Sequence, residues 1–179
     1  KSEASIRAPH SIAGSFYRKG AWENLRKYKN GAVSIIAEED KTRHTPSYFS
    51  YRGVNRLYKF FESRDYLELE KKYSHYWTLD VSKCFDSIYT HSLSWALKDK
   101  DFTKANVSVA ATFAQEFDSA MQYANHKETN GIVIGPEVSR IFAEMIFQEI
   151  DRRVMARLEL RSLEFGNHYA IRRYVDDVF

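Results

Sequence analysis

Two adjacent aspartates follow the last strand-like run of the chain and constrain its fold more than any other feature. The run over residues 168–175 alternates as a strand does, with Ile171, Arg173 and Val175 directed to one face. Asp176-Asp177 follows at once. Because Asp-Asp continues a strand poorly and favours a turn, we expect both carboxylates at a hairpin tip. An acidic dipeptide alone more often marks a solvated turn, so the interpretation requires a second acidic site.

The second acidic site lies upstream, where residues 76–79 predict a short buried strand that ends at Asp80. Asp80 and the pair Asp176-Asp177 can then converge on one pair of divalent ions. Carboxylate oxygens are the hard ligands that suit Mg²⁺, and Mn²⁺ is the expected substitute. Two ions about 3.5–4 Å apart can activate a primer hydroxyl and stabilise a leaving pyrophosphate.

Three segments together carry a family resemblance. LDVSKCFDSIYTHSL, which begins at Leu79, resembles the first palm motif of reverse transcriptases, and RRYVDD resembles their Tyr-x-Asp-Asp motif. Between them, NGIVIGPEVSRIFAEMIFQEID resembles the intervening motif of a Gly-rich loop, Gly-Pro and a long helix. The residues of these motifs are more similar to those of the prokaryotic defence-associated branch (abortive-infection-like, "unknown group") than to those of retroviral, group II intron or retron enzymes. The motifs span about residues 76–179.

The resemblance implies an α+β fold: a polymerase palm with a split βαβ, ferredoxin-like sheet and helices on one face, joined to partly helical fingers. Residues 1–75 are the expected fingers and residues 76–179 the expected palm. The chain begins without Met and ends two residues past Asp177, so we expect a fragment in which the thumb is absent. Apolar spacing also predicts helices over residues 53–62, 65–73, 91–98, 103–124 and 136–160, the last with a core stripe that runs from Val138 to Ile150.

The resemblance also implies site residues. Asp80, Asp176 and Asp177 are the expected catalytic and metal-binding residues, with the main-chain carbonyl of Val81 as a further ligand. Phe85 stands five positions after Asp80, where the resembling enzymes keep an aromatic ring beneath the ribose that excludes a 2′-hydroxyl. RNA-templated RNA polymerases tend to place an Asp at that offset instead, so DNA synthesis is favoured. Plain core packing is the alternative for Phe85.

Further nucleotide contacts are expected in the Gly-Pro loop and in the fingers. Gly135 and Pro136 bring the main chain and a helix start to the nascent base pair, in the manner of anion sites at helix N-termini. Many reverse transcriptases carry Gln before the second glycine, and this chain carries Ile134, a departure that fits the defence branch. In the fingers, Arg43 and Arg52 are the expected triphosphate contacts, and solvated or ion-paired side chains are the alternative.

Composition is compatible with this interpretation. Residues 1–60 carry 12 Lys and Arg against 5 Asp and Glu, whereas residues 61–179 carry 15 against 19, an uneven distribution that suits a polyanion-binding part beside a metal site. Cys84 is the single cysteine, which excludes an intramolecular disulfide and indicates a cytoplasmic location. No apolar run approaches the roughly 20 residues of a membrane helix, so no membrane partner is expected.

The predicted function is that of a reverse transcriptase, an RNA-directed DNA polymerase that uses two Mg²⁺ ions and dNTPs in antiviral defence. Its expected partners are nucleic acid, as RNA template or DNA product, and an RNA or protein component of a defence system. Two alternatives stay open at this point: an RNA-synthesising polymerase, and a non-catalytic polymerase-like scaffold that binds nucleic acid.

Overall fold

The computed structural model describes residues 2–12, 49–51, 54–98 and 112–179. The chain forms two compact units, one of Lys1–Ala8 with Arg56–Phe179 and the other of Pro9–Asn55. In the second unit, strand β1 (Pro9–Ile12) pairs antiparallel with strand β2 (Phe49–Tyr51). Arg43 and Arg52, the two expected triphosphate contacts, lie outside the described residues.

The first unit contains the elements that carry the motifs. In chain order these are α1 (Tyr58–Phe61), α2 (Arg64–Lys72), β3 (Leu79–Asp80), α3 (Cys84–Ser87), α4 (Ser92–Lys98), α5 (Phe113–Ala124), α6 (Glu137–Glu159), β4 (Arg173–Tyr174) and β5 (Asp177–Val178). Helix α4 packs against both α5 and α6. The described part of the chain is thus a mixture of helices and small antiparallel sheets, as the α+β prediction requires. The assignment to palm and fingers stays a prediction.

The sheet of the first unit has the strand order β3-β5-β4, with both pairings antiparallel. The N-terminal residues form an isolated parallel bridge to β4 between Ser5 and Arg173. The Arg173 amide donates to the carbonyl of Ala4 at 2.7 Å, and the Ile6 amide donates to the carbonyl of Arg173 at 3.0 Å. Ala4, Ser5 and Ala8 are buried there. Three two-residue strands have little stability of their own, so this sheet depends on what packs against it.

Among the described residues, an apolar cluster joins helices α3 to α6. Its buried members are Cys84, Leu93, Met121, Ile132, Phe142, Ala143 and Phe147. They come from α3, α4, α5, α6 and the loop before α6, so the segment after Asp80 and the Gly-Pro loop rest on one core. Burial of these side chains supplies the main favourable term in holding the motifs together.

Three predictions of secondary structure were wrong in detail. The strand-like run expected over residues 168–175 forms a strand only at Arg173–Tyr174. The strand expected at residues 76–79 is confined to Leu79 and Asp80, and it is not buried, because Trp77 and Leu79 are 74% and 60% exposed. The cause is that β3 lies at the outer edge of its sheet among the residues described. The helix expected over residues 53–62 shortens to the four residues of α1.

The long helix α6 has the expected bounds, and the middle of its predicted core stripe is confirmed, since Phe142 is buried and Met145 and Ile146 pack against the apolar cluster. The ends of the stripe are wrong. Val138 and Ile150, the two ends of the predicted stripe, are 49% and 45% exposed, whereas Ser139, Glu144 and Asp151 are buried. The physical reason is that Glu144 and Asp151 bind the buried side chain of Arg173, so the side of the helix that carries these two acids faces inward. Among the described residues, no helix combines the length and apolarity that crossing a bilayer requires.

Candidate active site

The two aspartates of the Tyr-Val-Asp-Asp run lie in and beside the turn of the β4–β5 hairpin. Tyr174 pairs with Asp177, so Val175 and Asp176 form a two-residue turn. The hairpin was predicted, but only Asp176 lies at its tip, because Asp177 is taken up by the pairing of β5. Val175 has φ of 61°, in the left-handed region that a β-branched residue rarely adopts. Such a conformation costs about 1–3 kcal/mol and persists only where its surroundings hold it.

Asp80 lies directly across from this hairpin. In the β3–β5 pairing Asp80 is opposite Asp177, and the Val81 amide donates to the carbonyl of Asp176 at 3.4 Å. Opposed residues of antiparallel strands have Cα atoms about 4.5–5.5 Å apart. The fold therefore gathers three aspartates, separated by almost a hundred residues of sequence, at one end of a small sheet.

The charges of the three aspartates act on their surroundings. The pKa of Asp177 is raised, first by partial burial and then by repulsion from Asp176 and Asp80. Burial raises the pKa of the Cys84 thiol to about 11, with further contributions from Asp176 and Asp80 and an opposing one from Arg173. Burial is the larger cause of both shifts, and repulsion by the neighbouring carboxylates adds to it.

The donors present fit a hard divalent cation. All three side chains offer carboxylate oxygens, the ligands that Mg²⁺ prefers, and Asp80 is exposed while Asp176 and Asp177 are half-buried. A bound cation would relieve the repulsion that raises the pKa of Asp177. Within the described ranges, no three His, Cys, Asp or Glu side chains are grouped so as to hold a metal ion. The main chain thus places the three aspartates at neighbouring positions, and their role as metal ligands stays a prediction.

The predicted sugar gate and the Gly-rich loop are joined by main-chain hydrogen bonds. The Ile132 amide donates to the carbonyl of Phe85 at 2.9 Å, and the Gly131 amide donates to that of Ile88 at 2.8 Å. Phe85 is half-buried and packs partly against the apolar cluster. Gly131 has φ of +84°, and a Cβ atom there would stand 3.1 Å from the main-chain oxygen of Asp86. The fold brings these two motifs together; the gating role of Phe85 stays a prediction.

The end of the same loop is open. Gly135 has φ of +117° with nothing within 4 Å of a Cβ built there, and Pro136 stands immediately before α6 with φ of −59°. Ile134 is largely exposed. The space beside Gly135 at the start of α6 is therefore open, and nucleotide binding by Gly135 and Pro136 stays a prediction.

Sequence reasoning missed a buried ionic cluster beneath the hairpin. Arg173 is 1% exposed and binds two acids of α6, with Nη1 2.9 Å from Oε2 of Glu144 and Nη2 2.9 Å from Oδ2 of Asp151. Burial alone would lower the pKa of Arg173, but the hydrogen bonds to Asp151 and Glu144 outweigh it and raise that pKa. The signal was present: Arg173 alternates onto the inward face, and two acids seven residues apart share one side of a helix.

The N-terminal segment also reaches this site. Nη1 of Arg7 donates to the hydroxyl of Tyr174 at 3.0 Å, and its guanidinium carbon lies 5.1 Å from the centre of the Tyr174 ring. The ring is the aromatic residue of the Tyr-Val-Asp-Asp run. No local sequence pattern predicts a contact between residues 167 positions apart.

Comparison with known proteins agrees with the arrangement of these motifs. Residues 24–179 match the family described as reverse transcriptase (RNA-dependent DNA polymerase). Among curated proteins no match was found. The matched range includes all three aspartates, Phe85 and the Gly-Pro loop, and it covers most of the chain. The chain therefore belongs to the reverse transcriptase family.

Proposed function

We propose that this protein is an RNA-directed DNA polymerase that adds deoxynucleotides to a hydroxyl by two-Mg²⁺ nucleotidyl transfer. Membership of the reverse transcriptase family supports the activity in general and the use of Mg²⁺. The observation that carries the finer proposal is the pairing of Asp80 with Asp177 across β3 and β5, with Asp176 in the adjoining turn. When bound, the metal supplies Lewis-acid activation of the hydroxyl and neutralises charge on the leaving pyrophosphate.

We assign the protein's own residues the roles that the resemblance of their motifs implies. Asp80 and Asp176 are the principal carboxylate ligands, with the Val81 carbonyl as a further one, and Asp177 acts at the primer end. Phe85, tied through its carbonyl to Ile132, would set the depth of the sugar pocket and exclude a 2′-hydroxyl. Gly135 and Pro136 would hold main chain against the nucleotide, and Arg43 and Arg52 would bind its triphosphate.

The test is Asp176→Asn in the full-length protein, with Asp86→Asn as its control. Asp86 is an exposed acid one residue past Phe85 and takes no part in the hairpin, so its loss changes local charge but not the ligand set. We expect Asp176→Asn to lower primer extension by at least about 10²-fold, in the range that loss of one transition-state stabiliser produces. Asp86→Asn should keep extension within about threefold. Full activity of Asp176→Asn would refute the proposed mechanism.

Sugar selection separates DNA synthesis from RNA synthesis. The native protein is expected to incorporate dNTPs in preference to rNTPs, and Phe85→Ala is expected to reduce that preference. A native preference for rNTPs would favour the RNA-synthesising alternative. Unchanged biological activity of Asp176→Asn would favour the nucleic-acid-binding scaffold.

The proposed setting is antiviral defence in a prokaryotic cytoplasm. Its support is the resemblance of the motifs to the defence-associated branch, including the Gly-Ile-Val-Ile-Gly-Pro loop without Gln. Expression of the native protein or of Asp176→Asn in virus-challenged cells tests it, and equal survival of both cultures would contradict a catalytic role in defence. Sequencing the nucleic acid that co-purifies with the full-length protein would identify the template or product.

A further inference from the structure

The guanidinium of Arg173 is fully engaged between α6 and the hairpin turn. Nε donates to Oδ1 of Asp151 at 3.0 Å, and Nη2 donates to Oδ2 of the same residue at 2.9 Å. Nη1 donates both to Oε2 of Glu144 at 2.9 Å and to the main-chain carbonyl of Val175 at 2.8 Å. The ring of Phe147 covers one side, with its centre 5.0 Å from the guanidinium carbon.

We propose that Arg173, oriented by Glu144 and Asp151, is a positioning residue that fixes the turn so that Asp176 can bind metal. This inference depends on the proposed function, because it assigns the aspartates a metal. The Val175 carbonyl belongs to the peptide group whose nitrogen is that of Asp176. A hydrogen bond to that oxygen therefore sets the plane of the peptide from which the Asp176 side chain departs.

The turn needs such a restraint because its conformation is unfavourable for its sequence. Val175 is a β-branched residue at φ of 61°, and a two-residue turn between two-residue strands has few other bonds to hold it. On its other side the Arg173 main chain is bonded to Ala4 and Ile6. Arg173 is therefore held through both its main chain and its side chain, and its hydrogen bond to the Val175 carbonyl restrains the turn.

Stability alone does not account for this cluster. Buried ion pairs repay their desolvation poorly, and apolar replacements of similar size are often as stable. A group that orients a metal ligand, by contrast, typically changes metal affinity or activity 10–100-fold when it is replaced. If Arg173 positions Asp176, its replacement should change metal affinity. If Arg173 only stabilises the fold, its replacement should change the unfolding temperature alone.

The experiment compares three variants of the full-length protein. Arg173→Lys keeps the positive charge but removes the planar guanidinium that makes paired hydrogen bonds. The triple variant Arg173→Met with Glu144→Gln and Asp151→Asn removes all three charges together, so no buried acid is left unpaired. The control is Arg172→Lys, the adjacent arginine, which makes a comparable two-bond pair with Asp65 at 2.8 and 2.9 Å but reaches neither α6 acid. Mn²⁺ affinity is measured by electron paramagnetic resonance without nucleotide, beside kcat, KM for dTTP and the unfolding temperature.

We expect both Arg173 variants to fold and to bind Mn²⁺ 10–100-fold more weakly, with kcat reduced and KM for dTTP within about threefold of native. Arg172→Lys should keep native Mn²⁺ affinity within about twofold. Native Mn²⁺ affinity in both Arg173 variants, with or without a lower unfolding temperature, would overturn the proposal. The Mn²⁺ affinity can be measured without polymerisation. A native protein that binds Mn²⁺ through Asp176 but extends no primer would therefore refute the proposed function, and the Mn²⁺ affinities of the Arg173 variants would still decide the positioning role.

Discussion

Replacing Gly131 by alanine tests whether the Gly-Pro loop is held against the segment that carries Phe85. Gly131 has φ of +84°, and Gly166 provides a matched control at φ of +83°. The left-handed conformation costs an alanine roughly 1–2 kcal/mol at either position. The positions differ in space, since a Cβ at 131 would lie 3.1 Å from the main-chain oxygen of Asp86, whereas one at 166 would meet nothing within 4 Å.

The contact at Gly131 cannot be relieved by a side-chain rotation because the opposing atom is main chain. The same short segment carries the bonds from Ile132 to Phe85 and from Gly131 to Ile88, which resist a shift. Overpacking of this kind costs about 1–3 kcal/mol, and a contact only slightly too close corresponds to the lower end. Gly131→Ala should therefore be about 1 kcal/mol less stable than Gly166→Ala, or about 2–4 °C lower in unfolding temperature for a chain of this size.

The assay is thermal unfolding of both variants of the full-length protein, together with KM for dNTPs and the preference for dNTP over rNTP. A shift of the loop moves the Phe85 main chain, so Gly131→Ala should raise KM and weaken sugar selection, and Gly166→Ala should change neither. Equal unfolding temperatures and equal selectivity in the two variants would refute this account of the loop.

Three further predictions rest on contacts in the first unit. Arg7→Ala removes the hydrogen bond and ring contact to Tyr174, and is expected to reduce primer extension severalfold while Arg7→Lys retains part of it; native extension by Arg7→Ala would contradict a role for the N-terminal segment. The pKa of Asp65 is lowered, first by its hydrogen bond to Arg172. The Asp65–Arg172 pair therefore stabilises the folded protein fully above pH 3.8, and this contribution is lost as the pH falls through the lower pKa of the folded state. Asp65→Asn should remove this contribution from the acid unfolding curve, and for so exposed a pair it is worth less than about 1 kcal/mol. Cys84 is buried with a pKa of about 11, so a thiol reagent at pH 8 should label it only at the rate of unfolding, and rapid labelling of the folded protein would show the core cluster to be open.

The parts of the site that sequence predicted are those set by local chemistry. Asp176 lies in the hairpin turn, where an acid that suits a strand poorly is expected, whereas Asp177 begins β5; α6 begins directly after Pro136, as expected. Gly131 marks a main-chain position that tolerates no side chain easily. These features depend on a few neighbouring residues, so the sequence specifies them directly.

The parts it did not predict depend on partners far away in the chain. Glu144 and Asp151 are charged residues on a helix with apolar side chains on several sides, and only the arriving Arg173 decides which side is buried. The N-terminal pairing of Ala4 and Ile6 with Arg173 likewise has no local pattern. Tertiary contacts therefore override helical periodicity where a buried charge must find its counter-charge.

The geometry of the three aspartates is consequently expected to depend on α6 as well as on the strands that carry them. Two-residue strands supply too few hydrogen bonds to fix carboxylates in place, while α6 is long and anchored in the core through Phe142 and Phe147. The Arg173 side chain joins the two, and its main chain also binds the N-terminal segment. A change on the buried face of α6 is thus expected to alter metal binding while every proposed ligand is intact, whereas a change on its exposed face at Val138 or Ile150 is not.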